Sequence, residues 1–234
     1  ALAHSGARRG DRVAVQVEKS VEAIALFWAC VRGGFVFLPL NTAYTASEVS
    51  YFLQDAAPAV LVCSPDKVAT LTGLSNAKLV TLDNDGRGTL TDLAREQGAF
   101  EDAPTHWDDL AAILYTSGTT GRSKGAMLTQ GNLASNALAL IDAWRFTADD
   151  VLIHALPVYH THGLFVAMNT VFLSGGTMLY RRSFDAGDVM RLIPQATCLM
   201  GVPTFYTRLL QQVELTREAT RHMRLFISGS APLL

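Results

Sequence analysis

Short apolar segments typical of β-strands alternate with amphipathic segments typical of helices along most of this chain. Residues 12–17 and 35–40 are rich in Val, Phe and Leu, and residues 20–31 between them have helical periodicity, with Ser20 as the expected cap. Strands that are joined by helices pair in parallel, and the helices then cover the faces of the sheet. The pattern therefore predicts an α/β fold with two mostly parallel sheets flanked by helices.

The same alternation predicts how the chain is divided. Residues 83–109 are polar, contain Gly86, Gly98 and Pro104, and are typical of a connector. We therefore expect a first α/β subdomain over residues 1–82 and a second over residues 110–234, both incomplete. The further strands are expected at residues 59–63, 78–82, 110–115, 151–156, 176–180, 198–200 and 225–228, and a helix is expected at residues 162–173.

Composition excludes several classes of protein. The net charge of −2 provides no basic field for nucleic acid, and no apolar run approaches the roughly 20 residues of a membrane span. Cys30, Cys63 and Cys198 are scattered without metal-ligand spacing, which favours reduced, buried thiols in a cytoplasmic protein and no metal site in this chain. The charged share of 17% is below the usual quarter, which suggests a piece of a larger protein with faces that the rest of it covers.

Residues 115–125, YTSGTTGRSKG, combine glycines, hydroxyl side chains and one lysine directly after an apolar run. Glycines allow backbone N–H groups to converge on an anion, and Lys124 adds a point charge that can follow a phosphate. The Walker A pattern is excluded because it requires glycine before the lysine and Ser or Thr after it, whereas Ser123 and Gly125 occupy those positions. The segment predicts a polyphosphate site, and a plain surface turn is the alternative.

This segment closely resembles the phosphate-binding signature of the adenylate-forming superfamily, which includes acyl-CoA synthetases, luciferases and adenylation domains. The usual proline before the lysine is replaced by Ser123. The resemblance extends over essentially the whole chain, and residues 132–136, 156–163 and 200–206 are most similar to malonyl-CoA synthetases. It implies part of the large N-terminal domain of such an enzyme, with the C-terminal domain absent and ATP, Mg²⁺ and coenzyme A as cofactor and co-substrates.

The segment LPVYHTHG at residues 156–163 resembles a histidine element of the same superfamily. His160 falls on the recurrent histidine, which lies near the acyl carboxylate and the phosphates in relatives. His162 stands where many relatives carry an aromatic residue of the acyl pocket. Because a site built to pair with a polar group rejects apolar analogues, His162 favours a small polar acid such as malonate or methylmalonate. A zinc site lacks a third nearby ligand, and hydrogen bonds to neighbouring backbone are the plain alternative.

The resemblance also assigns turns near the end of the chain. Gly201 would open the helix that borders the acyl pocket, Ser230, Ala231 and Pro232 would line adenine, and Ser230 would also face the acyl group. Without the resemblance these are ordinary turns at strand ends. A second carboxylate on the acid would require a cation, and spacing does not choose among the candidates. These are Arg181, Arg182, Arg191, Arg208 and Arg224.

The implied reaction has two halves: the acid attacks the α-phosphate of ATP to give an acyl-adenylate and pyrophosphate, and the coenzyme A thiolate then displaces AMP. Lys124, His160 and Thr116 are the predicted catalytic residues. The predicted ATP- and AMP-binding residues are Thr116, Ser117, Gly118, Thr119, Thr120, Gly121, Lys124, Ser230, Ala231 and Pro232. The predicted acid-binding residues are His160, His162, Gly201 and Ser230.

Two other functions stay open. One is a CoA ligase for a short monocarboxylic or aromatic acid, and the other is a non-catalytic module that binds a nucleotide or phosphate. The expected partners are a small carboxylic acid, ATP, coenzyme A and the missing C-terminal part of the same protein, with no nucleic acid and no membrane. We expect the chain alone to bind nucleotide weakly and not to complete the synthesis.

Overall fold

The computed structural model describes residues 1–96, 98–116 and 122–232. The chain forms two compact units, Ala1–Asn132 (unit 1) and Leu133–Leu234 (unit 2). Each unit is built around its own sheet with helices packed on it. The predicted fold class, two mostly parallel sheets flanked by helices, is confirmed.

The sheet of unit 1 has six strands in the order β4-β3-β1-β2-β5-β6. Every neighbouring pair is parallel except β5 and β6, which are antiparallel. The strands are β1 (Arg12–Gln16), β2 (Val36–Pro39), β3 (Val60–Cys63), β4 (Lys78–Thr81), β5 (Leu110–Thr116) and β6 (Lys124–Thr129). The helices are α1 (Val21–Gly33), α2 (Ala46–Ala56), α3 (Val68–Leu71), which a 3₁₀ turn at Pro65–Lys67 precedes, and α4 (Thr89–Arg95).

Local sequence explains where the two longer helices of unit 1 begin and how they pack. Ser20 caps α1 by accepting a hydrogen bond of 3.0 Å from the backbone N–H of Ala23. Thr45 and Glu48 form a reciprocal capping box at the start of α2. The apolar face of α2, which includes Phe52 and Leu53, is buried against the sheet in a core cluster. This burial holds α2 firmly in place beside the strands.

The sheet of unit 2 has four parallel strands in the order β10-β9-β7-β8. They are β7 (Val151–His154), β8 (Thr177–Tyr180), β9 (Cys198–Gly201) and β10 (Leu225–Ser228). The helical segments are α5 (Gln130–Trp144), whose first three residues belong to unit 1, a π-helix at His162–Met168, α6 (Asn169–Ser174), α7 (Ala186–Leu192), a 3₁₀ turn at Ile193–Gln195 and α8 (Pro203–Leu209). Successive residues of β7 and β9 enter two different core clusters, because side chains alternate between the faces of a sheet.

The predicted division of the chain differs from the structure between residues 110 and 132. The sequence pattern predicts that these residues belong to the second subdomain, but in the structure they belong to unit 1. Phe37 of β2 pairs with Ala112 of β5, and β6 pairs antiparallel with β5, so both strands extend the first sheet. Residues 83–109 therefore connect β4 to β5 within the sheet of unit 1. Periodicity detects a strand but not its neighbour, because pairing is set by contacts distant in sequence.

Two smaller predictions concern buried and apolar segments. Cys30, Cys63 and Cys198 are free thiols with no exposed surface, as expected of core cysteines. Within the described residues, no helix combines the length and apolar character needed to cross a bilayer.

Candidate functional site

The glycine-rich segment lies at the end of the β5–β6 hairpin in unit 1. Thr116, the last residue of β5, is directly opposite Lys124, the first residue of β6. Both are exposed, and Lys124 forms no ion pair within the described ranges of the chain. The predicted nucleotide-binding residues Ser117, Gly118, Thr119, Thr120 and Gly121 lie outside the described residues. The hairpin thus brings the first and last predicted phosphate-binding residues together.

The chain leaves this segment as an antiparallel strand, which agrees with the exclusion of a Walker A loop. A Walker A loop leads into a helix whose N-terminus points at the phosphates, but β6 follows here. Because β6 and not a helix begins at Lys124, no helix dipole starting there is available to an anion. A side chain at Gly125 would bring a Cβ within 2.9 Å of the Ile113 side chain, so the hairpin requires glycine there.

Helix α2 contacts both arms of this hairpin through residues that sequence analysis did not single out. The Tyr115 hydroxyl donates a hydrogen bond of 2.5 Å to Asp55 Oδ2, and the Tyr51 hydroxyl donates one of 2.8 Å to the Ser123 carbonyl. Burial and the nearby Asp55 carboxylate raise the pKa of Tyr115, so its hydroxyl keeps the proton that it donates. The signal in the sequence was a pair of polar residues four apart on α2, on the same side of the helix.

In unit 2, three of the predicted acid-binding residues lie at the carboxyl ends of parallel strands. Gly201 is the last residue of β9, and its carbonyl accepts a hydrogen bond of 3.1 Å from the N–H of Gly229, just past β10. His162 follows β7, and its Nδ1 lies 3.2 Å from Ser230 Oγ. Open α/β sheets bind ligands at this edge. The structure therefore joins His162, Gly201 and Ser230, which are distant in sequence, along one edge.

The turn that carries the histidines is held by two close contacts. A Cβ at Gly163 would lie only 2.1 Å from the Pro157 carbonyl oxygen, so no other residue fits there without a shift of the backbone. The fully buried His154, at the end of β7, places Nε2 2.9 Å from the Gly163 carbonyl. Periodicity predicts His154 only as part of a strand, although a polar ring among apolar strand residues indicates a specific hydrogen bond. Its contact fixes where the turn ends.

The two predicted site histidines differ in exposure. His162 is buried, with 8% of its surface exposed, and burial lowers its pKa. His160 is exposed, its ring centroid lies 4.7 Å from that of Tyr159, and partial desolvation lowers its pKa as well. Burial thus favours the neutral form of both imidazoles, in which one ring nitrogen donates a hydrogen bond and the other accepts one.

The helix expected at residues 162–173 is present, but it is not a regular α-helix throughout. Its first part, His162–Met168, is a π-helix that continues as α6. The π-helix, whose turns are wider than those of an α-helix, is rare in proteins. The π-helical turns that do occur are frequently found at functional sites. Propensity does not predict it, because π-turns are imposed by packing. The buried first residue of this π-helix is His162.

The predicted adenine-side residues follow β10. Ser230 has a φ of 68°, a left-handed conformation that costs energy for a residue other than glycine. A Cβ at Gly229 would come within 3.2 Å of the His162 ring, so the backbone passes close to the imidazole. Ala231 and Pro232 are exposed. The turn thus combines a strained serine with two accessible small residues.

Three of the five candidate arginines are paired with aspartates of unit 2. Arg181 and Arg191 lie 2.8 Å and 2.9 Å from the carboxylate of Asp188. Arg224 donates from two nitrogens to both oxygens of Asp150, each at 2.6 Å. Arg208 is exposed on α8 and forms no ion pair with a described residue. The structure also gathers no group of three or more His, Cys, Asp or Glu side chains for a metal among the residues that it describes.

The chain thus has two α/β units, with a glycine-rich segment between two strands of one sheet and polar residues along the carboxyl edge of the other. A family model described as AMP-binding enzyme matches residues 1–234, and the chain therefore belongs to the AMP-binding enzyme family. This confirms the resemblance to adenylate-forming enzymes.

Similar proteins place the chain within this family. The crystal structure of ATP-bound MatB from Rhodopseudomonas palustris is 59% identical with a TM-score of 0.97, over 100% of this chain and 47% of that one. A feruloyl-CoA synthase of Amycolatopsis sp is 32% identical, over 99% of this chain and 46% of its own length. A mitochondrial malonate–CoA ligase of Mus musculus is 30% identical, over 95% of this chain and 41% of its own length. The chain spans less than half the length of these relatives.

Proposed function

We propose that the full-length protein is an ATP-dependent carboxylic acid:CoA ligase, which forms an acyl-adenylate and then an acyl-CoA thioester. Membership of the AMP-binding family and the similarity to ATP-bound MatB support the use of ATP. Both curated relatives described above are named for the activation of an acid with coenzyme A. The proposal therefore includes coenzyme A as the thiol substrate.

Each unit contains residues that the proposal assigns to a part of the nucleotide. At the hairpin of unit 1, the exposed Lys124 and Thr116 would neutralise and hydrogen-bond phosphate oxygens. At the carboxyl edge of unit 2, Ser230, Ala231 and Pro232 would lie beside the adenine, and His160 beside the reacting carboxylate. Mg²⁺, when bound, would neutralise phosphate charge, and it commonly binds through substrate phosphates with few protein ligands.

We propose malonate, or a methyl-substituted malonate, as the acid. The observation that carries this choice is the buried His162, whose Nδ1 lies 3.2 Å from Ser230 Oγ. An apolar acid would offer the buried His162 ring no hydrogen bond, and a buried polar group that is left without a partner costs about 1–3 kcal/mol. The similarity to malonate–CoA ligases of Mus musculus and Arabidopsis thaliana agrees with this choice. Arg208 is the first candidate to pair with the second carboxylate of the acid, because Arg181, Arg191 and Arg224 already form ion pairs with aspartates.

An aromatic acid is the second candidate substrate. The feruloyl-CoA synthase of Amycolatopsis sp has 32% identity, and an indoleacetate–CoA ligase of Aromatoleum aromaticum has 31%. A non-catalytic nucleotide-binding module is the third candidate. Pyrophosphate release by the full-length protein with ATP and malonate, methylmalonate, butyrate or ferulate separates them. A preference for malonate or methylmalonate supports the proposal, and a preference for ferulate supports the second candidate. A preference for butyrate rejects both acids, and no release with any acid supports the third candidate.

The role of Lys124 provides a direct test of the ligase mechanism. Lys124→Ala should lower kcat/KM for pyrophosphate release at least a hundredfold with every acid, because the lost charge faces the leaving phosphates. Lys78→Ala, at an exposed lysine of β4, is the matched control and should change kcat/KM less than twofold. Full activity of Lys124→Ala would contradict the proposed role. The 234-residue chain alone should bind nucleotide weakly and form no thioester.

A further inference from the structure

Helix α2 contacts the β5–β6 hairpin at two points, one on each side of the glycine-rich segment. Tyr51 donates its hydroxyl proton to the carbonyl of Ser123, at 2.8 Å, immediately before β6. Asp55, one helical turn further, accepts a hydrogen bond of 2.5 Å from Tyr115, the residue before Thr116 at the end of β5. Residues four apart on a helix share one side of it. One side of α2 therefore binds both arms of the hairpin.

The helix is a rigid base for these contacts. Phe52 and Leu53 are buried in the core of unit 1, and the capping box closes the first turn of α2. The ring of Phe52 lies 4.4 Å from that of Tyr115, measured between centroids, and the Tyr51 ring lies 6.3 Å from it. The Arg122 guanidinium is 5.8 Å from the centre of the Tyr51 ring. Because its ring is packed on several sides, Tyr51 loses little additional freedom when its hydroxyl binds Ser123.

The residue that Tyr51 holds is the one at which this chain departs from the signature of its superfamily. A proline before the lysine would lock φ near −65° and restrict the backbone without any partner. Ser123 has no such restriction, so its conformation must be selected by contacts. The hydrogen bond from Tyr51 provides a contact at this peptide unit.

We propose that Tyr51 is a positioning residue that restrains the backbone at Ser123, and thereby the start of β6 from which Lys124 extends, while Asp55 restrains the other arm. The effect on nucleotide binding rests on the proposed function. The restraint on the backbone does not, because it follows from contacts within unit 1 alone.

Tyr51→Phe in the full-length protein tests the effect on nucleotide. Loss of one hydrogen bond should raise KM for ATP about two- to tenfold in pyrophosphate release, with kcat changed less than KM. A purely structural role would instead lower the amount of active protein, and hence kcat. Tyr44→Phe is the matched control, because its ring packs on Phe52 at 5.0 Å without a contact from its hydroxyl to Ser123. An unchanged KM for ATP in Tyr51→Phe overturns the proposal.

Ser123→Pro should compensate for the loss of the Tyr51 hydroxyl. With proline at position 123 the backbone is restrained covalently, so adding Tyr51→Phe to Ser123→Pro should change KM for ATP less than twofold. An equal effect of Tyr51→Phe with Ser or Pro at position 123 contradicts the proposed restraint.

Trypsin provides a measurement that does not require activity, since it cleaves after Arg122 and Lys124. In the full-length protein without nucleotide, Tyr51→Phe should accelerate cleavage at these two bonds at least threefold, measured by mass spectrometry, and Tyr44→Phe should not. Unchanged cleavage would refute the restraint. Faster cleavage in a protein that releases no pyrophosphate with any acid would support the restraint and reject the proposed function.

Discussion

His162, the first residue of the π-helix, combines two properties. Its ring is buried, and its Nδ1 faces a hydroxyl on a segment 68 residues away in sequence. Burial lowers the pKa of the imidazole and so favours the neutral ring, which can pair with an oxygen of a polar acid without the cost of a buried charge. At the scale of one residue, this side chain is the best candidate for selecting the acid.

Replacing His162 tests that selection. His162→Phe should lower kcat/KM for malonate at least tenfold, because the phenyl ring offers no hydrogen bond, and should raise the ratio of kcat/KM for butyrate to that for malonate. Pyrophosphate release with each acid measures both values. His106→Phe, at an exposed position of unit 1, controls for the loss of a histidine. An unchanged butyrate-to-malonate ratio would show that His162 does not choose the acid.

At the scale of elements, the Asp150–Arg224 pair joins the start of β7 to the start of β10. Burial alone would raise the pKa of Asp150, but hydrogen bonds from Arg224, the Thr147 backbone and the Thr197 hydroxyl outweigh it and hold the pKa below 3.8. Arg224 also donates to the carbonyl of Trp144 at the end of α5. The carboxylate is 4% exposed and the arginine 36%. Removing the arginine from such a pair destabilises the fold, because the buried carboxylate is left without its partner.

Arg224→Leu should therefore lower the free energy of unfolding by about 2–3 kcal/mol, which is somewhat less than for a fully buried pair because the arginine is partly exposed. Urea denaturation of the full-length protein at pH 7 measures it. Arg191→Leu, which breaks an exposed pair with Asp188, is the matched control and should cost less than about 0.5 kcal/mol. Equal effects of the two substitutions would contradict the structural role of Arg224.

At the scale of the whole molecule, Lys19 should make stability depend on pH. Lys19 is 7% exposed, and desolvation lowers its pKa from 10.5 to about 7. Between pH 7 and pH 10 the unfolded chain binds more protons at this residue than the folded chain, so the free energy of unfolding should rise with pH over this range. Lys19→Met should remove this rise, whereas Lys78→Met, at an exposed lysine, should retain it. Urea denaturation at four pH values measures the slope, and equal slopes in wild type and Lys19→Met would disprove the effect.

Much of this architecture could be predicted from local patterns. Periodicity located the strands of both sheets except β6, and Ser20 was recognised as a cap because capping depends on neighbours three residues away. The glycine-rich segment indicated a phosphate site through residue types alone. The sheet to which β5 belongs could not be predicted in this way, and the π-helix at His162–Met168 was expected to be an α-helix. Both depend on packing that a local window does not contain.

Local sequence thus specifies which segments are strands and helices, where helices begin, and which residues have the chemistry for phosphate and acid. The fold of each unit then determines which of these residues are in contact. Tyr51 reaches Ser123 across 72 residues, and His162 reaches Ser230 across 68. Such contacts depend on the order of strands in a sheet, and that order follows from the burial of apolar faces over a whole unit. The physical reason is range: propensity and capping act over a few residues, whereas the site is assembled by the packing of distant ones.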